Sequence, residues 1–228
     1  MTVLVTGAAS GIGYALSRGF LNDCATVMAA DRNAEGLLPL ADKGAITLKV
    51  DVSDPDQVEG MVETAADKTG RLDVLFNNAG IAFRSYLTIH QPDQFEELIR
   101  INLFGPVYGM RYAIPVMRRQ NFGRIINLVS RAPEFAAEGM SAYGSSKAAL
   151  WAATRHIARE VSDADILINA MIPGITKSGM MPKGQDPSKV YPTARLLATL
   201  PKGGPSGKVF WNAKEYRMFD TQNEAYRS

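Results

Sequence analysis

The chain has 228 residues, of which 46% are hydrophobic and 21% are charged, and its formal net charge is +2. These values are typical of a globular chain with one sizeable core, so a single domain over residues 1–228 is expected. No basic run exceeds Arg118-Arg119 and no apolar stretch approaches the roughly 20 residues that cross a bilayer, so neither nucleic acid nor a membrane is an expected partner.

Strands and helices alternate along the chain. Thr2–Thr6 is a β-branched run that ends in a glycine-rich turn, which is typical of a strand buried on both faces. Helical spacing follows over 11–22. Further strands are predicted at 25–30, 45–50, 72–76, 124–129, 166–171 and 207–211, and further helices at 34–41, 55–68, 92–103, 107–119, 142–161 and near 191. This order predicts an α/β fold, a doubly wound Rossmann-type parallel sheet of about seven strands with helices on both faces.

The turn after the first strand is predicted to hold a pyrophosphate. A helix that begins there leaves backbone N–H groups unpaired at its positive end, and glycines let a ligand approach because they carry no Cβ. The spacing is G-x-x-x-G-x-G rather than the commoner G-x-G-x-x-G. The predicted cofactor-binding residues of this turn are Thr6, Gly7, Ser10, Gly11, Ile12 and Gly13.

Acidic residues end the second and third predicted strands. Asp31 follows Gly13 by eighteen residues and is placed to accept hydrogen bonds from the adenosine ribose and to repel a 2′-phosphate. Arg32 would favour NADP, but the glycine turn lacks a basic residue, so NAD is expected and NADP is the less favoured alternative. Asp51 and Val52 are placed to contact the adenine, although Asp51 could equally cap the next turn.

Three residues in the second half of the chain could move a proton. Lys147 follows Tyr143 by four residues, which places both on one face of a helix, and Ser130 ends a predicted strand. The ammonium of Lys147, together with a nicotinamide ring, is expected to lower the pKa of Tyr143 from about 10. Lys147 could also bind the nicotinamide ribose, and Ser130 could hold the substrate oxygen.

In this order the motifs resemble the short-chain dehydrogenase/reductase family over nearly the whole chain. The matching residues are Thr6-Gly7-x3-Gly11-Ile12-Gly13, Asp31, Asp51-Val52, Asn77-Asn78-Ala79-Gly80, Asn102, Ser130, Tyr143-x3-Lys147 and Pro173-Gly174. The resemblance implies that Asn77 ties strands together, that residues 78–80 line the cofactor ribose, and that Asn102 supports a water on a proton path. It further implies that Pro173, Thr176 and Ser178 face the nicotinamide amide and the phosphates.

These motifs favour an oxidoreductase that transfers a hydride between NAD(H) and a small-molecule secondary alcohol or ketone. Tyr143 would be the general acid/base, with Asn102, Ser130 and Lys147 as the other catalytic residues. The resemblance implies a homodimer or homotetramer built on the helices at 107–119 and 142–161. The alternatives are a dinucleotide-binding regulator or scaffold, for which a damaged catalytic set would be expected, and a subunit whose main role is assembly.

Two regions depart from the family pattern. The segment 174–190 is shorter than the corresponding segment in the family and is rich in Gly and Pro. This predicts a short lid that is open, mobile and tolerant of bulky substrates. Residues 212–228 form a C-terminal tail without the family's glycine-rich ending.

The remaining conspicuous residues favour structural interpretations. His90 and His156 lack partners at metal-ligand spacing, so no metal is predicted. Arg84 and Arg131 lie near the predicted pocket and could bind an anionic substrate, but surface positions are favoured. Cys24, the single cysteine, is interpreted as a packed core thiol.

Two further expectations concern the methionines and the compartment. Met171, Met180 and Met181 could either floor a substrate pocket or pack in the core and lid. Met1 leads directly into the first strand and leaves no room for a signal peptide, so a cytoplasmic protein is expected.

Overall fold

One central sheet organises residues 1–89, 91–178 and 182–220, which are the residues that the computed structural model describes. Its eight strands are β1 (Thr2–Thr6), β2 (Thr26–Asp31), β3 (Ile46–Lys49), β4 (Val74–Asn77), β5 (Gly123–Leu128), β6 (Ile166–Ile172), β7 (Val209–Trp211) and β8 (Lys214–Tyr216). The order is β3-β2-β1-β4-β5-β6-β7-β8, and every neighbouring pair is parallel except β7 and β8. The predicted sheet is confirmed, with one strand more than the seven expected.

Helices cover both faces of the sheet, as predicted. They are α1 (Gly11–Asn22), α2 (Leu38–Ala41), α3 (Pro55–Thr69), α4 (Pro92–Ile99), α5 (Gly105–Arg119), α6 (Ala132–Phe135), α7 (Ser141–Glu160) and α8 (Tyr191–Ala198). On one face, α1 and α8 bury Phe20 and Leu197 against the sheet. On the other, α3 and α5 bury Met61 and Met110. The five residues of β1 are buried throughout, because helices cover the sheet on both sides.

The helix predicted to end at residue 103 instead continues into the next one. A single π-helical turn, Arg100–Phe104, joins α4 to α5 without an intervening loop. The widened turn ends two residues before Pro106, which has no backbone N–H to donate to the carbonyl four residues earlier in a regular α-helix. It carries Asn102, whose side chain is fully buried.

The C-terminal tail is partly built into the sheet. Asn212 and Ala213, with φ of +50° and +58°, form the two-residue turn that reverses β7 into β8. Beyond β8, Met218 is buried in a hydrophobic cluster that contains Val129 and Leu150. The segment after residue 211 is therefore a structural part of the domain as far as the described residues extend.

The prediction that Cys24 is a packed core thiol is wrong, because Cys24 is exposed. It occupies the turn between α1 and β2 with φ of +61°, and its N–H donates to the carbonyl of Leu21 at 3.0 Å, so its side chain leaves the core. His156 is exposed, as expected, and Met171 lies in the core. His90, Met180 and Met181 fall outside the described residues. Among the helices of the described ranges, none is long and apolar enough to cross a membrane.

Candidate active site

A cleft of about 310 Å³ opens at the carboxyl ends of the central strands. It lies where the strand order reverses between β1 and β4, the position at which ligands bind in open α/β sheets. The predicted residues that line it are Gly7, Ser10, Gly11, Ile12, Asp31, Arg32, Asp51, Val52, Asn78, Ala79, Gly80, Tyr143, Lys147, Pro173 and Ser178. Those that the sequence did not indicate are Val50, Ile81, Ile101, Leu128 and Val129. They are apolar, and nothing in their local sequence distinguishes them from core residues.

The glycine turn brings backbone unusually close to backbone. Gly7 and Gly11 have φ of +67° and +53°, where glycine is favoured over other residues. A Cβ on Gly13 would lie 2.1 Å from the carbonyl oxygen of Gly7, and one on Gly11 would lie 3.0 Å from Cβ of Ser178. Gly13 does not line the cleft, so it serves to let α1 approach β1 rather than to contact a ligand.

The first turn of α1 presents a positive end to the cleft. Ser10 is the N-cap, and its side chain makes no capping hydrogen bond. The first N–H groups of a helix have no partner within the helix, and the helix dipole favours an anion there. Gly11 and Ile12 of this turn line the cleft, so the turn offers a position for an anion there, and binding of a pyrophosphate stays a prediction.

Asp31 is held at the rim of the cleft by backbone N–H groups. Its carboxylate accepts hydrogen bonds from N–H of Ala9 at 3.0 Å and from N–H of Asn33 at 2.9 Å. Asp51 also borders the cleft, but one of its oxygens accepts from both the N–H and the hydroxyl of Ser53, at 2.9 and 2.7 Å. The turn-capping role that the sequence left open for Asp51 is thus present.

Thr6 lies behind the cleft rather than in it. Its Oγ1 accepts from N–H of Asn78 and Ala79 at 3.0 and 3.1 Å, which joins the ends of β1 and β4. The side-chain amide of Asn78 donates back to the carbonyls of Thr6 and Gly7. Asn77 donates to the side chain of Asn127 at 2.8 Å, so it ties β4 to β5 as the resemblance implied.

Ser130, Tyr143 and Lys147 converge at the opposite end of the cleft from Asp31. Ser130 follows β5, and its hydroxyl hydrogen-bonds the phenol of Tyr143 on α7. Lys147, one turn further along α7, is buried, and its Nζ donates to the carbonyl of Leu128 at 2.9 Å. Its Nζ lies 5.8 Å from the centre of the Tyr143 ring. Ser130 does not itself line the cleft but lies beside it, and it contacts the tyrosine that does.

Burial sets the acidity of both titratable groups. It lowers the pKa of Lys147 from 10.5 to about 8. It raises the pKa of Tyr143, and the hydrogen bond from Ser130 acts in the opposite direction. Without a cofactor, desolvation of the phenol outweighs the hydrogen bond from Ser130, and the lowering expected from Lys147 together with a nicotinamide ring stays a prediction.

Asn102 lies one layer behind the cleft. Its side chain accepts from N–H of Ile81 and donates to the carbonyl of Ile81, both at 2.9 Å, and it donates to Oγ of Ser146 at 3.1 Å. Ser146 in turn donates to the carbonyl of Tyr143 at 2.8 Å. The π-helical turn is thereby linked to α7 at Tyr143. Ser146 was not predicted, because nothing in its local sequence indicates this contact.

The described part of the predicted lid is hydrogen-bonded to itself. Thr176 and Gln185 form a β-bridge, and the side chains of both donate to the carbonyl of Pro173, at 2.9 and 2.8 Å. Thr176 is buried and does not line the cleft, whereas Ser178 lies over Gly11. Residues 179–181 are outside the described ranges, so an open, mobile lid stays a prediction.

The two arginines near the site differ in how far they are exposed to solvent. Arg84 is exposed, as expected. The side chain of Arg131 is only 15% exposed and pairs with Glu134 at 3.3 Å, so its interpretation as a surface residue is wrong. Its guanidinium lies 4.7 to 5.4 Å from the ring centres of three aromatic residues, which are Phe135, Trp211 and Tyr216. Two of these belong to the C-terminal hairpin, whose position the local sequence does not reveal.

Known proteins share this architecture. Residues 1–188 match the family model described as short chain dehydrogenase. The chain is 38% identical over 197 residues to 3beta-hydroxysteroid dehydrogenase 2 of Eggerthella lenta, a match that covers 82% of this chain and 75% of that protein. It is 35% identical over 206 residues to a 3-oxoacyl-(acyl-carrier-protein) reductase of Thermotoga maritima, with 88% and 82% covered.

Solved structures show the same fold. Levodione reductase superposes with a TM-score of 0.86 at 24% identity, covering 92% of this chain and 95% of that one. The match over residues 1–188 and the identities of 35 to 38% over most of the chain place the sequence in one family. The protein is a member of the short-chain dehydrogenase family of oxidoreductases.

Proposed function

We propose that this oxidoreductase transfers a hydride between NAD(H) and a secondary alcohol or ketone, with Tyr143 as the general acid/base. The observation that carries the proposal is a single cleft with two chemically different ends. One end has the uncapped first turn of α1 and the carboxylate of Asp31. The other has the phenol of Tyr143 with Ser130 and Lys147 beside it.

The residues present fit a nicotinamide dinucleotide, which when bound supplies or accepts the hydride. The N–H groups at the start of α1 would hold its pyrophosphate, and the close approach at Gly7 and Gly11 leaves the backbone accessible. Asp31 would accept hydrogen bonds from the adenosine ribose, and Lys147 from its buried position would donate to the nicotinamide ribose.

Proton transfer takes place at the phenol oxygen of Tyr143. In ketone reduction the phenol gives its proton to the substrate oxygen, and in alcohol oxidation the phenolate takes it back. Ser130 donates toward the same position and so would orient the substrate oxygen. With a pKa of about 8, Lys147 is mostly protonated at neutral pH, and its charge favours the phenolate once substrate and cofactor displace water.

Asp31 supports the preference for NAD over NADP. Its carboxylate is fixed by two backbone N–H groups, so it cannot easily turn away from a 2′-phosphate. Arg32 borders the cleft but is exposed, so its guanidinium stays in water. An ion pair between it and a 2′-phosphate would therefore contribute little to the binding of NADP.

The substrate class rests on the catalytic set and on the relatives. A 3β-hydroxysteroid dehydrogenase and a 3-oxoacyl reductase, by their names, both interconvert a secondary alcohol and a ketone. The same class of small molecule is proposed here, acted on by a homodimer or homotetramer.

A screen of secondary alcohols and ketones, with NAD(H) and NADP(H) in parallel, tests the proposal through the absorbance of the reduced nicotinamide. The matched control is Tyr143→Phe, which keeps the ring and removes the proton donor. Cofactor binding measured by calorimetry should survive in this variant while turnover is lost. Binding without turnover in the unmodified protein, across the whole screen, would instead favour the regulatory or scaffold alternative.

A further inference from the structure

A buried carboxylate, Glu134, lies four residues after Ser130. Its side chain has no solvent exposure. One oxygen, Oε2, accepts a hydrogen bond from the phenol of Tyr216 at 2.9 Å and contacts Nε of Arg131 at 3.3 Å. The other, Oε1, accepts from the backbone N–H of Phe219 at 3.0 Å. A charge removed from water in this way is stable only while such partners stay in place.

Two of these three partners come from the end of the chain. Tyr216 ends β8, and Phe219 follows it and packs edge-on against Trp151 of α7 at 5.1 Å between ring centres. Burial and the hydrogen bond to Glu134 raise the pKa of Tyr216 to about 12, so the phenol stays a donor over the working pH range. The C-terminal segment is thereby attached to α6 through Glu134.

The hydroxyl of Ser130 depends on α6. Its Oγ accepts from N–H of Ala132, the first residue of that helix, at 3.1 Å. N–H of Glu134 donates to the carbonyl of Arg131 at 2.8 Å, which closes the turn. Four residues are too few for a helix to be stable alone, and Ala136 ends this one with φ of +47°. The conformation of this turn must therefore be stabilised by contacts from outside it.

We propose that Glu134 is a positioning residue, which joins residues 216–219 to α6 and so holds the Ser130 hydroxyl against Tyr143. The end of the chain would then support the catalytic geometry without contacting the substrate. The inference rests on the proposed function, because it assigns Ser130 a part in turnover.

The test uses Tyr216→Phe in the full chain, which removes one hydrogen bond from Glu134 and keeps the ring. We expect kcat to fall about ten-fold with the KM for the cofactor unchanged, since a small displacement of a catalytic group is costly. Ser130→Ala should lower kcat about 100-fold. Adding Tyr216→Phe to Ser130→Ala should cause no further loss, because the serine through which Tyr216 acts is already gone.

Tyr191→Phe is the matched control. It also removes a tyrosine–carboxylate hydrogen bond, to Asp23 at 2.9 Å, but on α8 and away from α6. This variant should keep the unmodified kcat. An equal loss of kcat in both tyrosine variants, an unchanged kcat in Tyr216→Phe, or additive losses with Ser130→Ala would each overturn the proposal.

Amide exchange provides a readout that needs no turnover. In the protein without cofactor, N–H of Ala132 should exchange faster in Tyr216→Phe than in Tyr191→Phe, because it donates to the Ser130 hydroxyl. Unchanged exchange would refute the link between the C-terminal segment and Ser130. If the unmodified protein shows no turnover with any substrate, the proposed function fails. The exchange measurement then still decides whether Glu134 joins residues 216–219 to α6 and Ser130.

Discussion

Replacing Lys147 by methionine should stabilise the protein at neutral pH, although it removes a residue proposed for catalysis. Burial lowers the pKa of Lys147 from 10.5 to about 8. Each pKa unit corresponds to 1.36 kcal/mol, so keeping this ammonium charged inside the protein costs about 3 kcal/mol. Methionine has a similar length and no charge. The substitution also removes the hydrogen bond from Lys147 to the carbonyl of Leu128, which is worth about 1 kcal/mol. The free energy of unfolding is therefore expected to rise by about 2 kcal/mol.

The pH dependence follows from the sign of the change in pKa. The pKa of Lys147 in the folded protein lies below its value in the unfolded chain, so between pH 8 and 10.5 the unfolded chain binds more protons. The free energy of unfolding contributed by this group therefore rises with pH across that window. Below pH 8 both states are protonated and the full cost remains, whereas above 10.5 both are neutral and the cost is gone.

Urea denaturation at pH 7, 8, 9 and 10 measures this effect. The advantage of Lys147→Met should be largest at pH 7 and should shrink steadily above pH 8. Lys202→Met, at an exposed lysine, is the control and should show no such trend. A variant that is less stable than the parent at pH 7, or whose difference from the parent does not vary with pH, would refute the reasoning.

Four further outcomes are expected. The kcat/KM with NAD(H) should be at least about 10-fold higher than with NADP(H), since a contact between Asp31 and a 2′-phosphate costs ~1–3 kcal/mol. Asp31→Ala should reduce this preference. Equal kcat/KM with both cofactors in the unmodified protein would contradict the prediction. Ser130→Ala should raise the apparent pKa of Tyr143 in the pH profile of alcohol oxidation, because the serine hydroxyl lowers that pKa. Gly13→Ala should destabilise the fold by about 2–3 kcal/mol in thermal unfolding, since its Cβ would meet a backbone oxygen at 2.1 Å. Gly60→Ala, which meets nothing within 4 Å in the interior of α3, should instead stabilise it by about 0.5–1 kcal/mol.

Features that depend on neighbouring residues were predictable from the sequence. The glycine turn between β1 and α1 follows from backbone conformations that each glycine permits by itself. Tyr143 and Lys147 share a helix face because four residues make about one turn. Asp31 reaches the rim of the cleft because parallel strands end at the same edge of the sheet. In each case the relevant geometry spans only a few residues, or one repeat of the fold.

Features that depend on distant segments required the tertiary structure. The turn Asn212-Ala213 lacks the Asn-Gly pair that signals a hairpin, so β8 was not predicted. The enclosure of Arg131 depends on this hairpin, which brings Trp211 and Tyr216 to it from 80 and 85 residues further along the chain.

The acidity of Tyr143 and Lys147 also required the tertiary structure. The spacing of Tyr143 and Lys147 suggests that one charge tunes the other, whereas the structure shows that burial dominates the pKa of both. Burial is the sum of contacts from β5, α7 and the segments packed around them. The sequence by itself determined which groups are proposed to carry the chemistry and the turns on which they lie. Only the tertiary structure decided their solvation, because removing water from a side chain requires parts of the chain that lie far apart in sequence.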